Sequence, residues 1–158
     1  MKLLQNLISE ELTHEIYRVY RTSDNNYEGR DRHHPSDIGH FLLSSFTQEE
    51  MGFVWPELHP LTSEYTPVLY RVLKYTKGCF IDTHVDTPWN SPDPTDHSLI
   101  IQLNPTSEFT GGTPHVEDTE HHLNQGDGLI YPYGVEHGVS VVTKGCRYVM
   151  NIRMRKTP

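Results

Sequence analysis

The chain has 158 residues, 35% of them apolar and 22% charged, with a formal net charge of −8 at pH 7. That length suits one domain with a sizeable core, and that charge argues against a nucleic-acid backbone as a partner. No run approaches the ~18 apolar residues that cross a bilayer, and the first residues lack the apolar stretch and cleavage site of a signal peptide. Cys79 and Cys146 have no zinc-type spacing. Without a secretion signal they are expected as free thiols in a reducing cytoplasm.

Residues 9–21, SEELTHEIYRVYR, have the marks of an amphipathic helix. Ser9 suits the cap, Glu10 and Glu11 favour the first turn, and Leu12, Ile16, Val19 and Tyr20 recur at helical spacing. Residues 22–37 read as a polar loop, either plainly solvated or a lid over a site. The run from Thr47 to Leu58 opens on an acceptable cap and is expected as a short helix. From about residue 67 the texture changes to short β-rich runs divided by Gly, Pro, Asn and Asp. Strands are expected near 67–75, 79–86, 98–104, 113–117, 128–132, 138–142 and 146–154. So many short strands point to a sandwich or barrel rather than a parallel α/β sheet. No repeat or second-domain boundary is visible, so 1–158 is expected as one unit, with 1–66 supporting a core of 67–155.

The last strand is the most readable. Cys146, Tyr148, Met150, Ile152 and Met154 share one face; Arg147, Val149, Asn151 and Arg153 share the other. A polar face of this kind meets solvent in an ordinary sandwich and lines a ligand pocket in a jelly roll with an open mouth. Arg153 reads correspondingly as a surface charge or as a contact to an anionic substrate.

Eleven histidines invite a metal reading. His84 and Asp86 are two apart, so on a strand they aim an imidazole and a carboxylate the same way. A second imidazole from His137 completes a two-His, one-carboxylate set, which leaves coordination positions open and suits non-heme Fe(II). Arg147, ten residues on, offers a fixed cationic fork for an anion. Each residue alone has a plainer reading: a structural His, a turn Asp, a surface Arg. A rival set, His115-Val116-Glu117 with His121 and His122, lacks a cation at the matching distance. Its His115 is expected beside the pocket at most, with His121 and His122 facing solvent. His33-His34 reads as a surface pair or a substrate-loop contact, and Trp89 as a substrate-stacking aromatic or a cap on the core.

Four ordered blocks carry a resemblance. They are Tyr70-Arg71-Val72-Leu73-Lys74-Tyr75, with Tyr75 nine residues before His84; His84-Val85-Asp86-Thr87; Ser98 to Asn104 followed by Phe109-Thr110-Gly111-Gly112; and Gly126 to Pro132 followed by His137, Gly145 and Arg147. Over residues 68–155 the chain resembles the 2-oxoglutarate/Fe(II) oxygenases, in their prolyl 4-hydroxylase-like branch. The resemblance implies a mainly β fold, a double-stranded β-helix (jelly roll, cupin-like) with N-terminal helices packed outside. It implies His84, Asp86 and His137 as iron ligands, and Arg147 with Tyr75 on the far carboxylate of 2-oxoglutarate, with Ser98 near that cosubstrate. Arg stands where that branch often has Lys. The implied reaction hydroxylates an unactivated C–H bond while 2-oxoglutarate and O2 become succinate and CO2, with ascorbate as a suitable reductant. Asp86 favours hydroxylation, because the superfamily's halogenases replace that carboxylate with a small residue. The implied substrate is an amino-acid residue, prolyl by resemblance, a peptide or a small molecule. Trp89, Arg153 and His115 are its candidate contacts. A non-catalytic jelly-roll binding or sensing module is the competing class. A hydrolase or isomerase on the same metal set would leave Arg147 and Tyr75 without a purpose.

Overall fold

Strand alternation governs the C-terminal half of the computed structural model, which describes residues 1–22, 32–33, 39–87 and 94–158. In chain order the strands are β1 Lys2–Leu4, β2 Arg32–His33, β3 Gly39–His40, β4 Leu42–Phe46, β5 Tyr65–Tyr75, β6 Phe80–His84 and β7 His97–Gln102. They continue with β8 Phe109–Gly111, β9 Pro114–Val116, β10 Thr119–Glu120, β11 Gly128–Pro132, β12 His137–Val139, β13 Val142–Gly145 and β14 Arg147–Lys156. A seven-stranded sheet runs β1-β11-β7-β14-β5-β4-β2 and a five-stranded one β10-β9-β12-β6-β3, with β8 and β13 as a separate pair. Among the described residues these strands pair antiparallel throughout.

Helix α1, Glu10–Thr22, forms as its periodicity requires. The Ser9 hydroxyl accepts from the Leu12 amide at 3.1 Å, satisfying one of the orphan donors of the first turn. Its Ile16, Tyr17 and Tyr20 are buried with Tyr70, Val72, Met150, Ile152 and Met154. The Tyr17 ring meets Tyr148 edge-on at 5.3 Å. The helix therefore covers the outer face of the larger sheet, as the jelly-roll resemblance implied. The short helix expected over 47–58 divides in two. α2, Gln48–Met51, carries a full Thr47–Glu50 capping box. A 3₁₀ stretch, Gly52–Glu57, follows and contains Pro56, which cannot donate into an α-helix.

The opposite face of the larger sheet looks at the smaller one. A second apolar cluster joins Leu73, Tyr75 and Val149 of the first to Ile81 and Val139 of the second. The polar face of β14 thus lines an interior pocket. The 1–66 segment also supplies strands where only helices and loops were expected: β1 extends β11, and β4 pairs with β5. Cys79 and Cys146 are free thiols, and no helix among the described residues is long and apolar enough to cross a membrane. The loop at 22–37 lies almost wholly outside the described residues, as do Trp89, His34 and the side chain of His33.

Candidate metal centre

His84 ends β6 and sits directly across from His137 at the start of β12. That pairing puts the two rings 4.3 Å apart. Asp86 lies two residues beyond His84, just past the strand end, and one carboxylate oxygen, Oδ1, is 3.4 Å from each Nε2. Among the described residues, only His84, Asp86 and His137 gather at metal-ligand spacing, with their ligand atoms within 4.8 Å of one another.

The backbone fixes which nitrogen of each ring turns to the carboxylate. His84 Nδ1 is 2.8 Å from the Asp82 carbonyl oxygen, and His137 Nδ1 is 2.9 Å from that of Val135. A carbonyl oxygen only accepts, so both Nδ1 atoms carry protons and both Nε2 atoms are free to turn toward Asp86. Outer partners of this kind orient metal-binding imidazoles. Ser98 Oγ donates to Asp86 Oδ2 at 2.8 Å. Ser98, expected near the cosubstrate, is thus engaged by the carboxylate. Burial alone would raise the pKa of Asp86, but His137, His84 and the Arg153 cation outweigh it. They hold the carboxyl well below its usual range.

Arg147 opens β14 opposite Tyr75 of β5. Arg147 is 1% exposed, and its guanidinium stands 5.2 Å from the Tyr75 ring centre. Nε donates to Gln102 Oε1 at 2.9 Å, whereas Nη2 is buried with no hydrogen-bond partner. A buried donor without a partner costs about 1–3 kcal/mol, so this atom fits a ligand carboxylate. Burial pushes the Tyr75 phenol up to about 12, against the pull of Arg147, so Tyr75 keeps a proton to donate. Gly112 makes room for this arrangement. Its φ is +62°, and a Cβ there would lie 3.0 Å from Arg147 Cδ.

These groups share one cavity of about 200 Å³ between the sheets. Leu73, Ile81, Val139 and Val149 supply apolar wall, and Tyr131, whose ring lies 4.4 Å from that of His137, packs behind the metal cluster. Arg153 is no surface charge. Nη2 is 3.4 Å from Asp86 Oδ1, and Nη1 donates to the Tyr133 hydroxyl at 2.9 Å. His115 lines the same cavity, with Nε2 2.9 Å from Thr83 Oγ1. His121 and His122 stay apart from it. His122 is exposed beside Glu120, but His121, expected to face solvent, is half-buried and its Nε2 has no partner.

Sequence reasoning missed Arg71 and Gln102. Arg71 is 8% exposed and lines the cavity, opposite Asn151 of β14. Burial and the neighbouring Arg153 pull its pKa down to about 10, so it is still cationic at neutral pH. A signal was present: Arg71 precedes Tyr75 by four residues, and strand alternation puts both on one face.

No family model matches the chain. It is 38% identical over 81 residues to a PKHD-type hydroxylase of Idiomarina loihiensis, covering 49% of this chain and 37% of that protein. It is 34% identical over 104 residues to a PKHD-type hydroxylase of Hyphomonas neptunium, covering 56% and 46%. The chain thus spans less than half the length of these curated relatives. Its fold matches that of the viral collagen prolyl hydroxylase of Paramecium bursaria Chlorella virus-1, solved with 2-oxoglutarate. The TM-score is 0.73 at 14% identity, covering 99% of this chain and 96% of that one.

Proposed function

We propose that this chain is an iron- and 2-oxoglutarate-dependent hydroxylase, with Fe(II) held by His84, Asp86 and His137 and the far carboxylate of 2-oxoglutarate by Arg147 and Tyr75. One observation carries the reading. A three-ligand cluster shares its pocket with a buried guanidinium that still has an unpartnered N–H. When bound, iron with 2-oxoglutarate and O2 supplies hydroxylation of an unactivated C–H bond, the cosubstrate leaving as succinate and CO2.

The protein's part is positioning. The Asp82 and Val135 carbonyls aim the two imidazoles, Ser98 fixes the carboxylate, and Gln102 holds Arg147 beside Tyr75. The apolar wall limits water at the reacting atoms. Prolyl hydroxylases among the structural neighbours support an amino-acid residue as substrate, and the small cavity supports a compact metabolite as well. Two free thiols support a reducing compartment such as the cytoplasm. Strands from both ends of the sequence in one sheet support reading 1–158 as one oxygenase unit.

The test is succinate formation by protein loaded anaerobically with Fe(II) and 2-oxoglutarate, then given O2 and ascorbate. Succinate is expected from the parent and from neither His84→Ala nor Arg147→Ala. Equal output from all three would refute the assignment. Tight 2-oxoglutarate binding without turnover on any substrate would favour a sensing module.

A further inference from the structure

The metal cluster and the Arg147–Tyr75 pair account for part of the pocket's chemistry and leave two guanidinium groups over. Arg71 and Arg153 both line the cavity. They are diagonal neighbours across β5 and β14, since Arg71 pairs with Asn151 and Arg153 lies two residues further along. Each has a buried Nε with no hydrogen-bond partner. Arg153 spends Nη1 on Tyr133 and Nη2 on Asp86. The Arg71 side chain makes no hydrogen bond or ion pair among the described residues, although the residue is more than nine-tenths buried.

Charge balance points the same way. Among the described residues three guanidinium cations line the cavity, and the sole carboxylate lining it is Asp86. A divalent ion on Asp86 and the two carboxylates of 2-oxoglutarate leave the loaded pocket two charges positive. Buried cations without counter-charge are costly, and an arginine fork accepts a carboxylate in two parallel hydrogen bonds.

Building on the hydroxylase reading, we propose that Arg71 and Arg153 form a second anion site that binds a carboxylate of the substrate, so that the substrate is a small carboxylic acid hydroxylated close to that group. Arg153 reaches Asp86 directly, which places the anion beside the metal cluster and the reacting C–H bond a short distance from it. An internal peptide residue has no main-chain carboxylate, so a free amino acid or similar acid fits better than an extended peptide.

Two measurements on the Fe(II)-loaded protein test this. The first titrates 2-oxoglutarate anaerobically, following the visible charge-transfer absorption of its iron complex. The second measures succinate released with free amino acids and small carboxylic acids, each beside its neutral amide, and with proline-containing peptides. In the parent, acids are expected to stimulate succinate release and amides are not. Arg71→Met keeps the apolar stem and removes the charge. It is expected to raise the KM for the stimulating acid roughly 10- to 100-fold while leaving 2-oxoglutarate binding within twofold, and Arg71→Lys is expected to restore part of the loss. Melting curves establish that both variants are folded. Stimulation by amides or peptides as strong as by acids overturns the proposal, as does the absence of any stimulating acid in a parent that binds iron and 2-oxoglutarate. Weakened 2-oxoglutarate binding in Arg71→Met with an unchanged substrate KM assigns the site to the cosubstrate and also overturns it. A parent that binds neither iron nor 2-oxoglutarate refutes the underlying hydroxylase reading instead.

Discussion

Asp86 shows how much of the site depends on single atoms. Oδ1 faces both imidazoles and Arg153, while Oδ2 takes the Ser98 hydroxyl. Ser98 is fully buried, and its hydroxyl acts through the Asp86 carboxylate to which it donates. Ser98→Ala removes that hydrogen bond and lets the carboxylate rotate. Loss of such an outer partner typically weakens metal affinity about 10- to 100-fold. Competition with a metal-sensitive chelator measures it, and an unchanged affinity would reduce Ser98 to packing. Gly138 works by size instead. A Cβ there would come within 2.6 Å of the His115 ring and 2.8 Å of the Ile81 carbonyl oxygen, so the strand beside His137 closes only on glycine.

At the level of elements, the two faces of β14 serve different ends and should respond separately to substitution. Ile16 is fully buried on α1, with Met150, Ile152 and Met154 in the same cluster, on the side away from the pocket. Ile16→Ala is expected to cost about 2–5 kcal/mol of unfolding free energy, read by denaturant titration, while 2-oxoglutarate affinity holds. A parallel fall in affinity would mean that the faces are coupled. The same division explains what the sequence made legible. β14 alternates cleanly and His84 and Asp86 stand two apart, so one imidazole, one carboxylate and the polar face of the last strand could be anticipated locally, while the ordered blocks of the resemblance tied His137, Arg147 and Tyr75 to them. β4 could not. Its Ser44 is buried beside Phe46 on one side while the apolar Leu43 packs toward the pocket on the other, so LLSSF shows no apolar–polar alternation although its burial alternates. Gln102 and Arg71 escaped for a different reason. Alternation does put Arg71 on the Tyr75 face, but its place beside Arg153, like that of Gln102 beside Arg147, comes from the long-range register of β14 against β5 and β7.

Across the whole molecule, charge is sorted rather than balanced. The chain carries 21 acids against 13 Lys and Arg, yet among the described residues three of those cations line one cavity with a single carboxylate. The surface is therefore more acidic than the net charge indicates, and on the proposed reading the interior excess of cations is met by anions and a metal. Binding that favours the folded state alone stabilises it by mass action, by about 2.7 kcal/mol at a hundredfold excess over Kd. For a chain of this length each kcal/mol is worth roughly 2–4 °C in Tm, so saturating Fe(II) under anaerobic conditions should raise Tm by roughly 5–10 °C. 2-Oxoglutarate should then add a further increment, because iron completes its site. Asp86→Ala should abolish the metal increment, and Arg147→Ala should keep it while losing the one from 2-oxoglutarate. A full 2-oxoglutarate shift in protein stripped by a chelator would break the predicted order and would mean that the arginines alone bind the cosubstrate. The order of the increments thus separates a pocket organised around its metal from a cationic cavity that takes dicarboxylates without one.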